Sequence, residues 1–296
     1  LRLQAHLLQV VPHDLTAVDV RLRVPVQDAD RRDIGDVTGD GLRLRDVRAL
    51  VGVEVVPQDE ARHCRREDLV AAAATELACE AARQAIVLLK NDNNLLPLTP
   101  GAHKNIAVIG PNADACRLGS YSGKPQKTVS LLAGIKTFLG DKATVTHATG
   151  CKIAHNDTGV SYDNWRYIDD IQYASLDDNR PLIAEAVEMA KNSDLVILAL
   201  GHSELLGRES WGSNHIGDRS TLDLTDSEKA LAEQVLATGK PVVLFLNNGK
   251  PITLHQLNDR IPAILTAHYA GQETGTAAAE ILFGQTNPSG KLTISW

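Results

Sequence analysis

Aromatic side chains are scarce in this 296-residue sequence: Phe, Trp and Tyr make up 4% of it, and none occurs before Tyr121. The first 120 positions therefore lack the side chains that bring the most buried area to a core. Basic excess is missing too. The formal charge is -7, which argues against a nucleic-acid partner, whose docking surface would be built on Lys and Arg. No apolar run approaches the roughly 18 residues of a membrane span. Cysteine is confined to positions 64, 79, 116 and 151. None of these is paired as CxxC, so neither a structural zinc site nor a disulfide framework is expected. The opening "LRLQAHLLQVVPHDL" has no initiator Met and no clean signal-peptide core. The chain therefore reads as a fragment, with its localisation unassigned.

What is present is unevenly spread. All twelve Lys lie at or after Lys90, whereas eleven of the eighteen Arg precede residue 70. Residues 1–74 are read as a segment foreign to the rest, irregular or out of frame, as a fusion junction or a shifted reading frame would produce. Within it, "DVTGDG" places Asp36, Thr38, Asp40 and Gly41 like the first half of a calcium loop. The closing bidentate acid is absent, because position 12 is Val47 and Asp46 falls one residue early. The stretch reads as a polar turn, and no metal is expected.

From residue 75 onward the pattern is regular. "NIAVIGPNAD", "ATVTHATG", "DLVILALG", "PVVLFLNNG" and "PAILTAHY" are short apolar runs ending in turn residues. Continuous rather than alternating apolarity marks strands covered on both faces. Helical patterns lie between them. Ile183, Ala186, Val187 and Ala190 share one helix face. Thr225 and Glu228 form a capping box, and Gly239 supplies the stop. The predicted fold is α/β: a mostly parallel sheet with helices on both faces over residues 75–296, preceded by the irregular segment. Such sheets keep their chemistry beyond the carboxyl ends of the strands. That edge would carry "GPNAD", "GHSELLGRESWG", "NNGKP" and "HYAGQETG".

Several motifs fail on inspection. "GPNADAC" is not a dinucleotide fingerprint. "GQTNPSGKL" resembles a P-loop but follows a helix and has Leu292 where a magnesium-binding hydroxyl belongs. No G-x-S-x-G elbow exposes Ser203 or Ser210. No cofactor is expected. What remains is "GRESWGSNHIGDRSTLDL" (207–224), a loop crowded with Arg208, Glu209, Trp211, Asn214, His215, Asp218 and Arg219. Glu204 and Glu209 are carboxylates of the kind glycoside hydrolysis uses. Trp211 could serve as a sugar platform, and Arg208, Asn214, His215 and Asp218 could hold hydroxyls. Spacing alone equally allows an Asp218–Arg219 pair that only stiffens the loop, with Glu209 solvated.

The segments "EAARQAIVLLKNDNNLLPL", "IAVIGPNAD", "GRESWGSNHIGDRSTLDL", "GKPVVLFLNNGKP" and "AHYAGQETGTAAAEILFGQTNPSGKL" occur in this order. Together they resemble the carboxyl-terminal α/β sandwich domain of glycoside hydrolase family 3, in its beta-glucosidase and beta-xylosidase type enzymes. The resemblance implies a retaining mechanism with two carboxylates acting on beta-linked glucoside or xyloside oligosaccharides. It makes Glu209 the acid/base, with Glu204 the runner-up. Arg208, Trp211, His215 and Asp218 become substrate contacts. The nucleophilic Asp would belong to a barrel domain, N-terminal or in trans, and its Ser-Asp-Trp or Ser-Asp-Tyr segment has no counterpart here. Residues 1–74 are too few for a barrel of about 250 residues. The chain by itself is therefore expected to be inactive, and a non-catalytic sugar-binding or domain-packing module is the alternative. The family is often periplasmic or secreted.

Overall fold

The computed structural model describes residues 66–119, 122–123, 125–157, 171–210 and 217–295. The calcium-like turn at 36–47 and residues 1–65 of the segment 1–74 expected to be irregular lie outside them, whereas its residues 66–74 are helical. Helix α1 (Arg66–Ala85) leads into strand β1 (Val87–Asn91). It runs without a break through residues 74 and 75, so the compositional change there falls inside one element. The chain continues through β2 (Asn105–Ile109), α2 (Leu131–Leu139), β3 (Thr144–Ala148), α3 (Leu176–Lys191) and β4 (Leu195–Gly201). After β4 come the short α4 (Glu204–Gly207), α5 (Asp226–Leu236), β5 (Val242–Asn247), α6 (Gln256–Arg260), β6 (Ala263–Thr266) and α7 (Thr274–Leu282).

The six strands form one sheet in the order β1-β6-β5-β4-β2-β3. Strands β2 to β6 run parallel, and β1 joins the β6 edge antiparallel. The five strands read from the sequence are these parallel ones; β1 and α2 are additions to that pattern. Alternate residues along each strand enter two separate cores. Ile106, Val108, Leu195, Ile197, Val243 and Phe245 pack against α1, α2 and α7 through residues such as Ala82, Ile135 and Leu282. Ala107, Ile109, Val196, Leu198, Leu244 and Leu246 pack on the other face against Ile183 and Ala186 of α3 and Leu231 and Val235 of α5. Both faces exclude water over the middle of the sheet, which is why β4, β5 and β6 are buried at every position, whereas the edge strand β3 alternates.

Caps set the helix starts. Thr225 and Glu228 make the reciprocal capping box of α5. Ser175 and Asp178 make another for α3, so that helix starts five residues before Pro181 rather than at it. Pro181 is exposed, and its ring lies on the solvent side, away from the sheet. Helices α2 and α7 cross at glycine. A Cβ on Gly134 would stand 2.0 Å from the Gly275 carbonyl oxygen, and one on Gly275 would stand 1.9 Å from that of Ser130. The obstacle is backbone, so it cannot swing aside. Gly134→Ala should force the helices apart at a cost of about 1–3 kcal/mol, more than the roughly 1 kcal/mol gained in helix propensity. Gly123→Ala meets nothing within 4 Å and should be near neutral. Denaturant unfolding of the two variants checks this, and equal midpoints would refute the close crossing.

Candidate functional site

Strand order reverses between β2 and β4, with β3 on one side and β5 and β6 on the other. An open α/β sheet offers a crevice at such a switch point, beyond the carboxyl ends of its strands. In this protein a buried cation fills it. The Arg117 guanidinium donates from Nη1 and Nη2 to the two carboxylate oxygens of Asp157, each at 3.0 Å. Nη1 also reaches Glu204 Oε2 at 3.1 Å, and Nε reaches Asn112 Oδ1 at 3.0 Å. Asn112 in turn donates its amide toward the carbonyls of His202 and Asn247, at the ends of β4 and β5. Glu204 Oε1 accepts the Leu118 backbone N–H at 3.0 Å. Burial works against the charge on Arg117, but Asp157 and Glu204 outweigh it and raise the guanidinium pKa. The loops after β2, β3 and β4 are thus knotted together by one ionic cluster.

The same edge buries other polar groups. His202 is 1% exposed, and neither ring nitrogen has a hydrogen-bonding partner among the described residues. Burial, with the charges of Arg219 and Lys250 adding to it, pulls its pKa from 6.5 to about 4. Tyr269 follows β6 and has φ 54°, next to His268 at φ 44°. Two successive non-glycine residues in the left-handed region store strain of the sort found at binding sites. Burial first, then the Glu204 charge, pushes the Tyr269 phenol well above its ordinary pKa.

The loop between β4 and α5 holds the residues singled out from the sequence. Glu204 opens α4 and is buried in the Arg117 cluster. The side chain of Arg208 is also buried, at 1% exposure, so it lies beneath the loop. Glu209 and Ser210 are exposed. Asp218 closes the loop: its N–H donates to the Arg208 carbonyl at 3.1 Å, and its carboxylate accepts the Ser210 N–H at 3.0 Å. Its φ of 44° suits an aspartate, one of the few residues that tolerate the left-handed region. Asp218 is thus a loop clasp through the backbone. Trp211 and His215 lie outside the described residues. Sequence reading did not single out Arg117, Asp157 or Tyr269 for the site. The turn residues "GPNAD" at the end of β2 marked the edge, but nothing local paired Arg117 with carboxylates 40 and 87 positions away. Among the described residues, no group of three or more His, Cys, Asp or Glu could hold a metal. No described helix is long and apolar enough to cross a membrane. An exposed carboxylate on a clasped loop can exchange a proton with a bound group, but it cannot by itself perform a two-carboxylate displacement.

Comparison with known proteins agrees with this layout. Residues 86–296 match the model of the Glycosyl hydrolase family 3 C-terminal domain. A Beta-xylosidase of Formosa agariphila is 39% identical over 229 residues, which is 75% of this chain and 28% of that protein. A Periplasmic beta-glucosidase of Salmonella typhimurium is 39% identical over 225 residues, 74% of this chain and 28% of that protein. The chain therefore spans little more than a quarter of the length of these relatives. Among solved structures, a b-glucosidase of Erythrobacter marinus superposes with a TM-score of 0.68 at 38% identity, covering 73% of this chain and 29% of its own. The GH3 beta-glucosidase of Bifidobacterium adolescentis gives 0.56 at 31% identity, covering 72% and 27%.

Two outcomes follow from the buried groups. Arg117→Ala leaves the Asp157 and Glu204 carboxylates buried without their cation. The loss should be about 3–5 kcal/mol, read as a lower midpoint in denaturant unfolding; an unchanged midpoint would show the cluster to be dispensable. His202 binds its proton more readily when unfolded. Its contribution is complete above pH about 6.5 and declines as the pH falls toward about 4. His202→Gln should therefore flatten the change in unfolding free energy between pH 7 and pH 5. Parallel profiles for the two proteins would count against this.

Proposed function

The chain belongs to glycoside hydrolase family 3, through that family's C-terminal domain, and from this premise we propose that it supplies the acid/base half of a retaining beta-glycosidase. Glu209 is the acid/base. The observation that carries this reading is the contrast between the two loop carboxylates. Glu204 is committed to Arg117 and to the Leu118 N–H, whereas Glu209 is exposed on the clasped loop beyond the strand ends. A proton donor must reach the leaving oxygen of a sugar held outside this domain, and the exposure of Glu209 supports assigning that role to it rather than to Glu204.

The substrates are beta-linked glucosides or xylosides, as the names of the relatives suggest. The nucleophilic carboxylate comes from a barrel domain, on the same polypeptide or another. Glu209 protonates the glycosidic oxygen as the leaving group departs, and its carboxylate then takes a proton from the incoming water. Docking of the barrel over the loop would shield Glu209 and the leaving oxygen from water before the first step. Trp211 and His215, on the same loop, contact the sugar. Arg208 and Asp218 act one step back, holding the loop's base rather than hydroxyls.

The chain by itself should not hydrolyse an aryl beta-glucoside above background. In an enzyme completed with a family 3 barrel, Glu209→Ala should slow natural oligosaccharides by about 10²–10⁴-fold. Substrates with an activated aryl leaving group should suffer far less in the first step, because such groups depart without protonation. Azide should restore turnover and give a glycosyl azide of retained configuration. Glu204→Gln should slow both substrate types alike and gain nothing from azide. Rescue of the Glu204 variant in place of the Glu209 variant would reverse the assignment.

A further inference from the structure

Glu228 carries more hydrogen bonds than a helix cap requires. It sits in the first turn of α5 with 0% exposure. Its Oε2 accepts the Thr225 N–H at 3.0 Å and the Thr225 hydroxyl at 2.8 Å, which completes the capping box. Its Oε1 accepts the Gly201 N–H at 2.9 Å. Gly201 ends β4, and Thr225 is the last residue before α5. The two oxygens of one carboxylate therefore grip the two ends of the segment 202–224.

The box of α3 gives an internal standard. There Asp178 Oδ2 accepts both the N–H and the hydroxyl of Ser175, with its side chain 49% exposed. A cap thus works at the surface with a shorter acid and without a strand. Burying a carboxylate costs several kcal/mol, so capping does not account for placing Glu228 in the interior. The bond to Gly201 does. Gly201 has φ 134°, and a Cβ there would stand 2.2 Å from the Asn247 carbonyl oxygen. The chain leaves the sheet sharply at this point, and the direction of exit sets the path to Glu209 eight residues on.

We propose that Glu228 is a positioning residue for the loop that carries Glu209: its carboxylate ties the loop's start at Gly201 to its end at Thr225. This rests on reading Glu209 as the acid/base. Displacement of a catalytic group by about 1 Å can cost about 10²-fold in rate, so the tie bears on turnover. Only a carboxylate serves both ends, because an amide would turn an N–H toward one of the donors. An aspartate, one methylene shorter, should keep the cap as Asp178 does but fall short of Gly201.

Hydrogen exchange of the intact chain tests this. Glu228→Asp should raise exchange at amides 202–210 about tenfold or more while the first turn of α5 keeps its protection. Asp178→Asn should loosen only the start of α3. If Glu228→Asp leaves 202–210 as protected as in the parent, or loosens only the first turn of α5, the tie does not exist. Should that variant fail to fold, Glu228→Gln gives the same readout at full side-chain length. In the barrel-completed enzyme, Glu228→Asp should lower kcat on unactivated oligosaccharides with little change in KM. It should act more weakly on activated aryl glycosides. Faster loop exchange without that leaving-group dependence would keep the tie and sink the assignment of Glu209.

Discussion

The buried charge of Arg117 is the constraint on which this edge of the molecule depends. One guanidinium at the switch point of the sheet binds the loops that follow β2, β3 and β4. Its planar fork meets Asp157 with two parallel bonds and still has donors for Glu204 and Asn112, which a lysine could not reproduce. Buried ion pairs return little net stability, but removing one partner is costly. The cluster therefore acts less as a source of stability than as a lock. The three loops must take one arrangement, because every other arrangement strands a charge.

That lock also explains where the chemistry can be. In an open α/β sheet the crevice at the switch point is the usual ligand site. Here Arg117, Asp157 and Glu204 are paired with one another, and the proposed function uses an exposed carboxylate on the loop after β4 instead. There Glu209 and Ser210 are exposed above the buried Arg117 cluster. Asp218 clasps the loop near its middle, and Glu228 sits beneath both its ends. The exposed Glu209 is thus presented by a segment braced from three directions, as a proton donor to a sugar held by another domain would need to be.

The strain at His268 and Tyr269 fits the same picture. Both residues lie just past β6, and a Cβ on Gly207, after β4, would stand 3.4 Å from the Tyr269 hydroxyl. Tyr269 is buried against small residues: a Cβ on Gly249 would stand 2.5 Å from its ring. The neighbouring loops can approach that ring only because they carry glycine there, so bulk on one loop is matched by its absence on another.

Much of the architecture was legible in the residues alone. Continuous apolar strands announced a sheet covered on both faces, because strands with one wet face must alternate. Thr225, Glu228 and Gly239 marked a helix because caps and stops are local and follow from backbone groups left unpaired at helix ends. The ordered segments from residue 80 to 292 carried the family resemblance. What the chain could not disclose was which charges would meet. Glu204 and Glu209 look alike as letters, five positions apart in one loop. Their difference lies in Arg117 and Leu118, nearly ninety positions earlier. Likewise the capping box was readable at Glu228, but its second bond to Gly201 was not. Periodicity and caps act over one or two turns and are written in neighbouring residues. Ion pairs in the interior are decided only when strands far apart in the chain become neighbours and water is excluded between them.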